Sequence, residues 1–144
     1  MAHEAVLGLG AYLKIHDGTS LYKLEGLYSL TPPSPQRETK DSSHHESAGG
    51  VRTHIGGMLD FGEATARIFL NPGGATDLKL LSLMASRDSR ALVIGFVEND
   101  GTFQEQSATC IPIGLEYDDV VIDDKMTYAF KMKISGAVTQ AAAA

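Results

Sequence analysis

From Met126 to Ile134 every second residue is apolar and large: Met126, Tyr128, Phe130, Met132 and Ile134, set against Thr127, Lys131, Lys133 and Ser135. A period of two suits a pleated strand with one buried and one wet face, and no helix can satisfy it. Phe61 to Leu70 repeats the pattern, with Ala64, Ala66, Ile68 and Leu70 on one side and Glu63, Thr65 and Arg67 on the other. Two half-buried strands require a sheet, and its apolar face requires a covering layer.

Further segments supply both. Leu21 to Leu30 reads as one strand, with Tyr22, Leu24, Gly26, Tyr28 and Leu30 facing away from Lys23, Glu25 and Ser29. Thr31-Pro-Pro-Ser-Pro35 stops it, because proline donates nothing to a ladder. Ala91 to Val97 is continuously apolar, a buried strand, and Glu98-Asn-Asp-Gly101 is a hairpin turn signal. Phe103 to Leu115 reads as one strand that Pro112 bends or places at an edge, and Val120 to Ile122 as a short one. One helix is expected after the Asn71-Pro-Gly-Gly74 turn. Thr76 would be its N-cap, Asp77 would lie in its first turn, and Leu78, Leu80, Leu81, Met84 and Ala85 would form its apolar stripe up to about Ser86. The expected fold is mainly β, an antiparallel β-sandwich or barrel with one flanking α-helix. It forms a single domain over 1–144, with an N-terminal arm at 1–10 and a low-complexity tail at 137–144.

Composition narrows the function. The 144 residues suffice for one core, and 15 Gly with 5 Pro suit a turn-rich β protein. Twelve basic against 18 acidic side chains leave a net charge of −6, which argues against a protein that clamps phosphates. Aromatic content is 7% with no Trp, too sparse for a base-stacking platform. The lone Cys110 excludes an internal disulfide and reads as a small buried apolar side chain. Glu4 interrupts the start and no basic region precedes Val6 to Leu13, so no secretory signal is expected; no run approaches a membrane span.

Motifs for chemistry are weak. His44, His45, Glu46 and His54 would ligate a metal only if their loop folded back on itself, because adjacent histidines on an extended chain point opposite ways. They read as a solvated or contact loop, with no metal or cofactor expected. Asp118-Asp119 and Asp123-Asp124 lack the calcium-loop spacing and read as turn residues. Gly49-Gly50 and Gly56-Gly57 open no phosphate-binding motif, and no serine sits in a nucleophile elbow. Lys131 and Lys133 share a strand face and read as solvent or subunit contacts. No catalytic residue is assigned, and no enzyme is expected.

Gln36 to Gly57 is the oddest segment, almost wholly polar. Loops of this length are functional or disordered. Folded back as a hairpin, each limb of ~10 residues reaches roughly 30 Å, enough to touch a neighbouring molecule.

Here a family resemblance enters. Arg37-Glu-Thr-Lys-Asp41 followed by Ser43-His-His-Glu-Ser47 resembles the Arg-x-Thr-x-Asp and Thr-x-His-Asp-Ser stretch of a known group. That group is the tail tube, or major tail, proteins of long-tailed non-contractile phages and phage-like gene transfer agents. Ile55-Gly-Gly-Met-Leu-Asp-Phe-Gly-Glu63 resembles their Ile-Pro-Gly-Leu-x-Asp-x-Gly-Glu turn, running into a strand that ends at Asn71-Pro72. Asp123-Asp-Lys-Met-Thr127 and Lys133-Ile-Ser-Gly136 match their closing strand. Order, spacing and length agree over residues 20 to 138.

The resemblance implies a structural virion protein whose copies form hexameric rings with sheets joined edge to edge. The rings stack into a tube that conducts genomic DNA. Its implied partners are further copies of itself, other tail proteins (tape measure, terminator, distal tail) and double-stranded DNA in transit, with no membrane. Its implied place is the virion tail, after synthesis in the host bacterial cytoplasm. Stacking needs a projecting element, and 36–57 has the reach; Arg37, Thr39, Asp41, His44, His45, Glu46, Ser47 and Arg52 are the expected inter-ring contacts. Glu25 and Glu63 are candidates for the lumen wall, where carboxylates would let DNA slide. Three alternatives remain. A type VI-like injection tube shares the fold, a small metal-dependent β-barrel enzyme would use the loop histidines, and a monomeric binding module would not assemble.

Overall fold

The chain is described by a computed structural model over residues 8, 10–44, 48–98 and 101–143. Its strands are β1 Tyr12–His16, β2 Leu21–Lys23, β3 Leu27–Thr31, β4 Gln36–Asp41, β5 His54–Asp60 and β6 Glu63–Phe69. The helix α1, Ala75–Ala85, precedes β7 Arg90–Val97, β8 Phe103–Tyr117 and β9 Thr127–Ala142. Seven strands form one antiparallel sheet in the order β2-β1-β7-β8-β9-β6-β3, while β4 and β5 pair only with each other.

The alternating segments behave as their period demands. Ala64, Ala66 and Ile68 of β6 pair in register with Met132, Phe130 and Tyr128 of β9, and all six are buried. Leu13, Ile15, Leu92 and Ile94 continue this inner face across β1 and β7, and Leu80 and Leu83 of α1 pack onto it. Each such side chain contributes roughly 1.5–3 kcal/mol by leaving water. Cys110 is fully buried among them, and burial pushes its thiol up to about 12. Its chemistry is that of packing.

Leu21 to Leu30 is not one strand. Gly26 sits at φ +79°, a conformation that glycine adopts without strain, and breaks the segment into β2 and β3. These lie at opposite edges of the sheet, so the sheet must curl until its edges approach. The connector holds both: Leu24 N donates to Leu13 O of β1 at 2.9 Å, and Phe69 N of β6 donates to Gly26 O at 3.0 Å. The result is a barrel-like sheet, pinched together at one end.

The helix also differs from expectation. Gly74 is the N-cap, and Thr76 and Asp77 point inward with Leu80 and Leu83, leaving Leu78 and Leu81 exposed. Tyr128 Oη donates to Asp77 Oδ1 at 2.7 Å, and Tyr22 Oη meets Thr76 Oγ1 at 2.9 Å. Two tyrosines on the sheet thus satisfy two polar residues of the helix's first turn. Burial, then the Asp77 carboxylate, raises the Tyr128 phenol above its ordinary pKa. Outside this pair, Lys79 Nζ donates to Asp17 Oδ2 and lies 4.3 Å from the Tyr22 ring centroid. That bond, then the Ser20 and Thr19 N–H groups, holds the Asp17 carboxyl well below the usual carboxylate range.

Pro112 lies beside a bulge in β8, beyond Cys110, where the ladder with β7 has ended, so its missing N–H costs no ladder bond on that side. Residues 137–142 continue β9 past Gly136 (φ +85°), pairing Thr139 to Ala142 with Ser107 to Gln104. The segment read as a low-complexity tail therefore lies in the sheet as far as Ala142. Val120 to Ile122 forms no strand.

Candidate functional site

The β4–β5 hairpin is the element of 36–57 that the polar sequence left open, and it stands apart from the body. Every residue of β4 is exposed, as is every residue of β5 except half-buried Gly57. Most of its bonds are internal. Ser42 N donates to Thr53 O at 2.9 Å, Thr53 N to Ser43 Oγ at 2.8 Å, and Arg37 Nη1 to Gly57 O at 3.0 Å. The strands pass so closely at Gly57 that a Cβ there would lie 3.1 Å from Glu38 O. Bonds from the Ser43 hydroxyl and then its N–H lower the Asp41 carboxyl pKa at the tip. At the base, the Gly62 N–H and then Lys133 do the same for Asp60.

Among the expected contact residues, Arg37, Thr39 and Asp41 alternate along β4 and share one face, opposite Leu59, Gly56 and His54. Arg52 and His44 are exposed near the turn. His45, Glu46 and Ser47 lie outside the described residues, as does most of the 1–10 arm. Among the described residues, no group of three or more His, Cys, Asp and Glu side chains could hold a metal.

Glu25 and Glu63 do not come together. Glu25 sits in the connector beside the Phe69 end of β6, where its N–H donates to Thr76 Oγ1 at 3.3 Å. Glu63 begins β6 opposite Lys133. Around Glu63 the outer face of the sheet is a lattice of opposite charges. Lys131 bonds Glu116 at 2.9 Å, Lys133 lies 3.5 Å from Asp60, and Arg67 lies 3.7 Å from Asp118. These lysines are neutralised by neighbours, unlike those of a phosphate clamp.

Sequence patterning missed one feature at the far end. The β8–β9 loop presents Val120, Val121 and Ile122 at 71%, 53% and 102% exposure, framed by Asp118, Asp119, Asp123 and Asp124. Three adjacent β-branched residues signal a strand; only the four flanking aspartates hinted that this run is a turn. Tyr28 and Phe69, stacked 4.7 Å apart and both exposed, extend this end of the sheet.

The model of the lambda phage tail tube protein family matches residues 11–141. No curated protein matches by sequence. Among solved structures, a chain from the virion of a native gene transfer agent particle is 17% identical with TM-score 0.73, covering 95% of this chain and 99% of that one. A chain from the anti-feeding prophage baseplate is 7% identical with TM-score 0.75, covering 98% and 97%. The SPP1 tail tube subunit is 10% identical with TM-score 0.69, covering 96% and 80%.

Proposed function

The chain belongs to the lambda phage tail tube protein family, and from that premise we propose that it forms six-membered rings that stack through the β4–β5 hairpin. As a family member it is a structural protein of the virion tail, working in an oligomeric tube with other tail proteins. Six subunits per ring accords with the C6 symmetry of a similar gene transfer agent tail, 16% identical to this chain. The carrying observation is the hairpin itself. A lone two-stranded ribbon is marginal in water, and among the described residues this one has no third strand or covering helix. A neighbouring copy would supply what the chain lacks.

The open flanks of β2 and β3 point the same way, since exposed sheet edges invite pairing with another chain. Ring closure would use them. The polar outer face, with its lysines neutralised and Glu63 among its carboxylates, suits a lumen along which double-stranded DNA slides; Glu25 is the second lumen candidate. The 1–10 arm would add contacts between copies. In this reading the protein has no catalytic role.

Replacing 42–53 by a two-residue Asn-Gly turn tests the stacking role. Electron microscopy of the concentrated wild-type protein should show tubes, and of the shortened variant single rings or monomers. Tubes of normal length from the shortened variant would end the proposal.

A further inference from the structure

The hairpin must land somewhere, and β6 fixes where its chain's own two ends are. At the Glu63 end, Asp60 pairs with Lys133 and Ile134 N donates to Gly62 O at 3.0 Å, so the hairpin leaves there. At the Phe69 end, Leu70 N donates to Met126 O at 2.8 Å and Asp118 N to Thr127 O at 3.1 Å, so the β8–β9 loop leaves there. Thr127 and Lys133 are six residues apart on β9, about 20 Å of extended chain. The two elements therefore project from opposite ends of the same strands.

Each carries apolar side chains that the described residues leave more than half exposed. The hairpin has Val51 at 65%, Ile55 at 56% and Met58 at 83% exposure; the loop has Val120, Val121 and Ile122. The loop carries Asp118, Asp119, Asp123 and Asp124 against a single Lys125, while the turn half of the hairpin is mixed, with Lys40 and Arg52 beside Asp41 and Glu46. Its two cations are the groups that can face the acidic loop. Head-to-tail stacking brings unlike ends of successive copies together.

We infer that the acid-framed apolar loop Asp118–Lys125 is the receptor for the β4–β5 hairpin of a second copy in the adjacent ring. This rests on the stacking role proposed above and adds its acceptor. Val120 to Ile122 would meet Val51 and Ile55, removing both patches from water. Arg52 would face the aspartates, which fixes register and direction more than it adds affinity.

The test is a cysteine pair, Val51→Cys with Ile122→Cys, oxidised in assembled tubes. The buried native Cys110 does not interfere. A disulfide-linked ladder of three or more subunits is expected from the pair, and none beyond dimers from either single variant. Tubes of the pair that give no ladder overturn the acceptor while leaving stacking intact; wild-type protein that never forms tubes overturns stacking itself. If the pair fails to assemble, carbodiimide coupling of wild-type tubes decides. Lys40 should join Asp119, Asp123 or Asp124 of another copy, and coupling of Lys40 only to other carboxylates overturns the assignment. Arg52→Asp should raise the protein concentration needed for tubes by roughly tenfold or more, and adding Asp123→Arg should restore it.

Discussion

The seven-stranded body and the β4–β5 hairpin use the same antiparallel ladder to opposite ends. In the body, one face of β6 and β9 is sealed from water by α1 and the curled sheet; in the hairpin, neither face of β4 or β5 is covered. Stability in the first comes from within the chain, because apolar area is removed from water there. The second has its own hydrogen bonds, a bulge between Arg37 and Thr39, and at its base an ion pair from Asp60 to Lys133 of the body. In the proposed assembly, the body of such a subunit would fold by itself and the hairpin would be completed by a neighbour.

The largest effect should come from the body's centre. Phe130→Ala should cost about 3–5 kcal/mol of subunit stability in urea unfolding, since it empties a fully buried site. A loss below about 1 kcal/mol would mean that the curled sheet is not the stabilising unit. Next is Tyr128→Phe, which leaves Asp77 buried with neither oxygen bonded, Oδ2 already being without a protein partner. The expected cost is about 1–3 kcal/mol. A neutral result would show that water serves the carboxylate equally well.

A smaller effect probes the body by pH. Because Asp17 has a lowered pKa in the folded body, its contribution is present above the unfolded value of about 3.9 and fades as pH falls through and below it. Asp17→Asn should therefore destabilise near pH 7 and cost progressively less in unfolding measurements toward pH 2. A constant difference would sink the Lys79 pairing. The smallest effect belongs to the hairpin: Met58→Ala should change subunit unfolding by under about 0.5 kcal/mol, its side chain being 83% exposed. A loss as large as that of a core truncation would show that the hairpin belongs to the folded body.

The same division decides what the sequence could reveal. β6 and β9 are legible because one-sided burial writes a period of two into them. The helix's inner stripe is not, since two of its members, Thr76 and Asp77, are polar and find their partners on distant Tyr22 and Tyr128. Leu21 to Leu30 misleads because its alternation survives the break at Gly26, although β2 and β3 then go to opposite edges. Residues 137–142 carry no period, yet a long partner strand captures them. At the candidate site, the length and polarity of 36–57 announce a projecting element. Exposed Val120 to Ile122 were hidden by resembling the strands that the rest of the chain is made of.

Cys110 has one more consequence. Its thiol is enclosed and its pKa is raised by burial, so the native chain offers no accessible thiol to maleimides or haloacetamides under mild conditions. A cysteine engineered onto any solvent-facing position would be the sole handle for a dye, a spin label or a heavy atom. Chromophores could then be spaced along the particle at intervals set by the subunit alone.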